Sequence, residues 1–240
     1  MSSSECFENP PTLLSSTSSG VGTVQDVGGL KSYVTGSPHS NRAILFVSDV
    51  FGYEAPKLRK LADKLAVADQ FLVVVPDFFY GDPLDLNNPD RDGWLKAHNM
   101  EKGHEDAKQV VAALKSKGLS AIGAAGFCWG GNVVVKLAGS TDIQAAVVLH
   151  PGHLTDEDIN EVKVHIAILG AERDKIAPQE HIKHLGEILS AKSEFDSFVK
   201  IFPGVAHGWT VRYNDEDPFS VNSAEESHLD LTNWFTKYVK

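Results

Sequence analysis

The sequence predicts a single-domain α/β fold, a doubly wound and mostly parallel sheet of about seven or eight strands flanked by helices. Three observations carry this expectation. Short apolar runs alternate with longer amphipathic stretches, as βαβ units require. The runs are nearly unbroken in apolar residues, which fits strands covered by helices on both faces. A chain of 240 residues with 42% hydrophobic and 22% charged side chains also has enough apolar surface for one large core without disulfides or metals.

Residues 1–22, with Pro10-Pro11 and the Ser/Thr/Gly stretch from Ser15 to Gly22, read as an irregular leader, and residues 23–240 as the domain. Two polar segments, Thr23 to Val27 and Lys31 to Thr35, flank Gly28-Gly29 and are expected to pair as an edge hairpin opening the sheet. Strands are then expected at Ala43 to Val47, Phe71 to Val75, Ile122 to Ala125, Ala145 to Leu149, Val164 to Leu169 and Phe198 to Phe202. Helical spacing of apolar residues appears in Leu58 to Ala68, Leu95 to Lys117, Asn132 to Ala138, Gln179 to Leu189 and Ala224 to Val239. Pro178 falls in the first turn of its helix, where no amide donor is needed. No internal repeat and no second domain are visible.

A formal charge of −10 arises from acids spread along the chain. Such a surface repels phosphate backbones and anionic lipid, so neither nucleic acid nor membrane is an expected partner. The two cysteines, Cys6 and Cys128, make no disulfide framework and point to a reducing compartment. The start of the chain lacks the basic and apolar regions of a secretory signal and the Arg-rich character of a transit peptide, and no apolar run approaches a bilayer span, so the expected location is cytoplasmic. The histidines form no zinc-like cluster with cysteines or carboxylates, so neither a metal nor a cofactor is expected.

The stretch Ala124 to Asn132, AAGFCWGGN, is the most informative. Gly126-Phe127-Cys128-Trp129-Gly130 follows an apolar run and precedes a helical segment expected to start near Gly131. A nucleophile between two glycines at a strand-to-helix turn is forced into a strained backbone conformation that projects it at the top of the sheet. The amides of the following helix favour thiolate over thiol. Hydrolases of this architecture place nucleophile, acid and histidine in that chain order. Here the run ending at Leu169 exits to Asp174, and the run ending at Phe202 exits to His207 in the glycine-bounded loop Gly204-Val205-Ala206-His207-Gly208. Taken singly, Cys128 is a buried structural thiol, Asp174 a helix cap and His207 a turn residue; three placements agreeing with one template favour a Cys128–His207–Asp174 triad. His150 and His153, the main competitors for the base, follow the strand before the acid loop and break the order. His98, His104, His181, His184 and His228 fall on helical faces, where solvated or capping roles are the default.

With these residues in hand the chain resembles the dienelactone hydrolase family of the α/β-hydrolase superfamily, especially its eukaryotic carboxymethylenebutenolidase-like branch. The matches are Val47-Ser48-Asp49-Val50-Phe51-Gly52, Val75-Pro76-Asp77-Phe78-Phe79, Gly126-Phe127-Cys128-Trp129-Gly130-Gly131, Ala171 to Asp174, and Ala206-His207-Gly208-Trp209 with Arg212 after it. The resemblance runs from about Thr23 to the C-terminus. It implies a Cys-His-Asp triad, a thioester intermediate, and an oxyanion hole from the amides of Val50 and Trp129. Many bacterial members hold the resting cysteine with a glutamate where this chain has Asp49, and bind a substrate carboxylate with two arginines, of which Arg212 matches one. The implied substrate is a small ester or lactone, and a monomer or weak homodimer suits such a family. Phe51, Tyr53, Tyr80, Trp94, Trp129 and Trp209 fall near the carboxyl edge of the sheet and, with Asp49 and Arg212, are candidate substrate contacts; Phe78 and Phe79 add to the aromatic character there. Two other functions fit the same scaffold: a β-glucanase-type glycoside hydrolase, since some plant relatives carry that description, and a non-hydrolytic cyclase or isomerase or a small-molecule receptor.

Overall fold

The computed structural model describes residues 20–240. The leader up to residue 19, Cys6 included, lies outside the described residues. In chain order the elements are β1 (Thr23–Val27), β2 (Leu30–Gly36), β3 (Arg42–Val47), α1 (Pro56–Asp69), β4 (Leu72–Pro76), α2 (Arg91–Ala97), α3 (Met100–Ser116), β5 (Ala121–Phe127), α4 (Trp129–Leu137), β6 (Ala145–Leu149), α5 (Asp156–Asn160), β7 (His165–Arg173), α6 (Gln179–Ser190), β8 (Ser197–Ala206) and α7 (Pro218–Tyr238). The strands form one eight-stranded sheet in the order β1-β2-β4-β3-β5-β6-β7-β8. β1 and β2 make the expected hairpin, and β2 runs antiparallel to β4; all other neighbours are parallel. Gly28 and Gly29, at φ of 65° and 83°, supply the left-handed turn that joins β1 to β2.

Two apolar layers cover the sheet. Along β3, Ala43, Leu45 and Val47 face one layer while Ile44 and Phe46 face the other, the two-residue alternation of a strand buried on both sides. α3, α4 and α6 close the first layer through Val110, Val134 and Leu185. α1 and α7 close the second through Leu61 and Phe235. Every residue of β5 and of its neighbour β6 is buried, and β5 is the strand that carries the nucleophile candidate. Among the described residues no helix is long and apolar enough to cross a membrane.

The departures from expectation sit at element ends. The stretch read as one helix from Leu95 to Lys117 is two, because Asn99 caps α3 by accepting the Lys102 amide at 2.9 Å, a stop-and-restart that apolar spacing does not register. α4 begins at Trp129, two residues ahead of Gly131. Pro178 sits one place before α6 as its N-cap. α7 starts at Pro218, six residues before Ala224, where Asp217 accepts the amides of Phe219 and Ser220. α5, which no apolar spacing predicts, opens on a Thr155–Asp158 capping box. β7 and β8 both run four residues past their apolar stretches, and their last register pair is Arg173 with Ala206. That pairing matters for the site, since the next residue on each strand is Asp174 on one side and His207 on the other.

Candidate active site

The strand-to-helix turn at Cys128 has the geometry the glycine pattern demands. Cys128 holds φ 52° and ψ −113°, a region costing a non-glycine residue about 1–3 kcal/mol. Its cause is the closeness of three chain segments. A Cβ on Gly126 would lie 2.2 Å from the Gly130 carbonyl oxygen, and one on Gly130 would lie 2.1 Å from that of Val47. No side chain fits either gap. The turn is also held by hydrogen bonds: the Cys128 amide donates to the Leu149 carbonyl at 3.1 Å, and the Cys128 carbonyl accepts the amides of Gly131 and Gly152 at 2.9 and 3.1 Å. Cys128 is reduced and buried, with 3% of its surface exposed.

The register of β7 against β8 delivers Asp174 beside His207. Asp174 Oδ2 lies 2.8 Å from His207 Nδ1, both side chains being almost wholly buried. Its other oxygen accepts the amides of Ile176 and Ala177 at 2.9 and 3.2 Å. Asp174 does not cap α6, whose N-cap is Pro178; one of its oxygens holds the turn ahead of that helix and the other holds His207. His207 also shares a side-chain hydrogen bond with Cys128. Burial by itself would lower the proton affinity of His207. The electrostatic interaction with Cys128 and the hydrogen bond to Asp174 outweigh it and push the pKa up to about 9.

Val50 and Trp129 leave neighbouring strands. β3 pairs with β5 as far as Val47 with Gly126, and each chain then runs three residues on, to Val50 in the loop and to Trp129 at the first position of α4. The Trp129 ring is buried. Its indole N–H donates to the His98 carbonyl at 3.0 Å, and its ring meets Phe79 at 4.9 Å between centroids. Asp49 is buried, accepts the Phe51 amide at 3.1 Å and faces Arg212 Nε at 3.4 Å. Burial raises the pKa of its carboxyl, and Arg212 opposes that rise. Arg212 is itself buried and lies over the Phe51 ring at 5.3 Å.

The remaining predicted contacts scatter. Phe51, Tyr53, Trp94 and Trp209 are all buried. Tyr53 packs in the α1 and α7 layer with Arg59 over its ring. Trp94 donates to the Asp82 carbonyl at 2.9 Å. Tyr80 is the exposed one; it holds φ 55° and its hydroxyl donates to Asp106 at 2.9 Å. Trp209 and Arg212, together with His207, Arg173, Tyr213 and Phe219, line a cavity of about 240 Å³ beside the histidine. Among the described residues no group of His, Cys, Asp and Glu side chains could hold a metal ion.

Three residues of this neighbourhood escaped the sequence reading as site residues. His150, set aside because it breaks the chain order, packs against His207 with ring centroids 5.0 Å apart. His228 is buried in α7 rather than solvated. Thr210, which both contact, carries no sequence signal at all. The position of His150 directly after an apolar run was the one available hint.

Residues 30–239 match the model of the dienelactone hydrolase family. A carboxymethylenebutenolidase homolog of Mus musculus is 33% identical over 230 residues, covering 92% of each chain. An endo-1,3;1,4-beta-D-glucanase of Zea mays is 42% identical over 195 residues, which are 80% of this chain and 63% of that one; this chain therefore spans less than two thirds of the maize protein. Among solved structures, a putative dienelactone hydrolase from Klebsiella pneumoniae superposes with a TM-score of 0.72 at 18% identity, over 87% of this chain and 93% of that one.

Proposed function

This chain belongs to the dienelactone hydrolase family, and from that premise we propose that it cleaves small esters or lactones with Cys128 as nucleophile, His207 as base and acid, and Asp174 as the orienting carboxylate. The observation that carries the reading is the imidazole set between a sulfur and a carboxylate, with Asp174 Oδ2 at 2.8 Å from its Nδ1. In this reading the sulfur and the imidazole rest as a thiolate–imidazolium pair before substrate arrives.

The steps follow from that pair. The thiolate attacks the carbonyl carbon, and the carbonyl electron pair moves onto oxygen. The amides of Val50 and Trp129 receive this oxyanion, each donor being worth roughly 3–4 kcal/mol. As the tetrahedral species collapses, the carbon–oxygen bond to the leaving group breaks and the imidazolium gives that oxygen its proton, leaving a thioester on Cys128. The neutral imidazole then takes a proton from water, the hydroxide displaces the sulfur, and the acid leaves with thiolate and imidazolium restored. A thiolate is a good leaving group, so the thiol route suits activated esters and enol-lactones better than amides. The cavity of about 240 Å³ beside His207 favours a small substrate.

Intact-mass measurement after quenching with a nitrophenyl ester tests the proposal. The wild-type protein should gain one acyl group and Cys128→Ala none; acylation that survives in Cys128→Ala would overturn it.

The likeness to the maize protein keeps a glucanase reading open to test. Glycoside hydrolysis needs two carboxyl groups about 5–9 Å apart across the sugar bond. Of the acids at this edge, Asp49 is paired with Arg212, Asp82 with His98 and Asp174 with His207, while Asp77 is buried and accepts the Phe79 amide at 3.2 Å. Mixed-linkage glucan cleavage retained by Cys128→Ala, with esterase activity lost, would favour that reading. Product formed in oxygen-18 water without label would favour a cyclase or isomerase.

A further inference from the structure

Beyond Cys128, His207 and Asp174, the described residues include two deeply buried histidines that end on one and the same residue. His150 Nε2 lies 2.8 Å from the Thr210 hydroxyl oxygen, and His228 Nε2 lies 2.7 Å from the Thr210 carbonyl oxygen. A carbonyl can only accept, so His228 carries its proton on Nε2. Thr210 is fully buried. It stands three residues after His207, in a turn closed by Trp209 donating to Ala206 at 3.2 Å and Arg212 donating to Gly208 at 2.9 Å.

His150 is held in place at a cost. It is a non-glycine residue at φ 37°, the left-handed region that only surrounding structure can enforce. Cys128, at φ 52°, also lies in that region. The His150 amide donates to the Leu169 carbonyl at 2.9 Å, which ties the loop after β6 to β7. Its ring stands edge-on to His207 and, at 5.5 Å, to Trp209. Its Nδ1 meets no hydrogen-bond partner among the described residues, so Thr210 is the polar tie of this ring.

We propose that His150 is a positioning residue for the reaction: with His228 it clamps Thr210, and so holds the His207 ring facing the Cys128 sulfur and Asp174 at once. This rests on the reading of Cys128 and His207 given above. The charged groups facing His150 are His207 and Arg212, both on the loop after β8, while Phe127 packs from the nucleophile strand. The nearest acids are engaged elsewhere, Asp174 with His207 and Asp49 with Arg212. Burial, and then the charges of His207 and Arg212, hold the His150 pKa well below the usual histidine value. The clamp therefore stays uncharged while His207 gains and loses its proton, and does not compete with it for Asp174.

The test compares His150→Phe, Thr210→Val and the double variant by pre-steady-state acylation with a nitrophenyl ester, and by the pH dependence of Cys128 alkylation by iodoacetamide. Each single variant should slow acylation between about ten- and a hundredfold, the loss that misplacement of a reacting group brings, with KM little changed. The alkylation midpoint should move to higher pH, since a displaced imidazole no longer supports the thiolate. The double variant should fall no further than the worse single, because both act through one contact. His150→Gln, whose amide reaches toward the Thr210 hydroxyl, should recover most of the rate. Losses that multiply in the double variant, or an unmoved alkylation midpoint, would overturn the clamp and leave His150 as core packing. Should His150→Phe fail to fold, Thr210→Val and Thr210→Ser carry the same comparison. A Cys128→Ala control that still turned over would instead sink the nucleophile assignment.

Discussion

The loop after β8 and the segment joining β4 to α3 meet at the same edge of the sheet, and they are built on different principles. In the first, polar side chains are buried and tied across the fold: His207 to Asp174, Thr210 to His150 and His228, Arg212 to Asp49. In the second, aromatic rings pack on one another, with Phe79 against Trp94 at 4.9 Å and Trp94 against His98 at 4.6 Å, and the polar atoms are satisfied within or next to the segment, as in Trp94 to the Asp82 carbonyl. A loop that positions chemistry needs directional ties, because a misplaced proton donor loses its function. A loop that only walls the site can rely on packing, which tolerates small shifts. Trp129 ties the nucleophile turn to the aromatic wall, since its amide belongs to the elbow while its ring packs on Phe79 and bonds His98.

Substitutions that break the polar region should therefore cost far more activity than those that trim the aromatic one. The largest effect is expected from Asp174→Asn, which leaves the shape intact but spoils the tautomer and charge behind His207; kcat should fall by about four orders of magnitude, measured on a nitrophenyl ester with folding checked by circular dichroism. Next comes pH. Acylation should decline as pH rises through about 9 and His207 loses its proton. Stability follows with a defined sign: a histidine whose folded pKa exceeds the unfolded value of about 6.5 contributes fully below that pH and loses its contribution as pH rises from there toward the folded value. Denaturant titrations between those limits should show a decline that is missing in His207→Gln. Gly130→Ala places a methyl against the Val47 carbonyl and should lower stability by about 1–3 kcal/mol, read as a lower denaturant midpoint. The smallest effect should come from Trp129→Phe, which keeps the stacking and loses the bond to His98, costing about 1 kcal/mol and little kcat.

The elbow was legible because its requirements are local: two glycines four residues apart around a cysteine, after an apolar run, allow few other structures. Asp174 and His207 were legible from chain order, since each had to leave a strand at the carboxyl edge. That they meet depends on the paired extension of β7 and β8 to Arg173 and Ala206, in stretches whose charges on one strand and Pro203-Gly204 on the other do not announce a strand. His228 shows the reverse failure. Its helical spacing was read correctly, but whether that face meets solvent or the Thr210 loop is set by how α7 lies on the sheet. The aromatic contacts were the least legible, because an aromatic side chain near a site and one in the adjacent core have the same composition signal.

From residue order alone came the alternation of strands and helices, the strained turn at Cys128, and the succession of sulfur, carboxylate and imidazole. These rest on backbone sterics and on periodicity, which act between near neighbours in the chain. Tertiary structure alone decided that Arg212 turns inward to Asp49, that His150 lies against His207, and that Thr210 is held from two sides. Those contacts join residues 18 to 163 positions apart, and their energies depend on burial and distance, quantities that exist only once the chain has closed on itself.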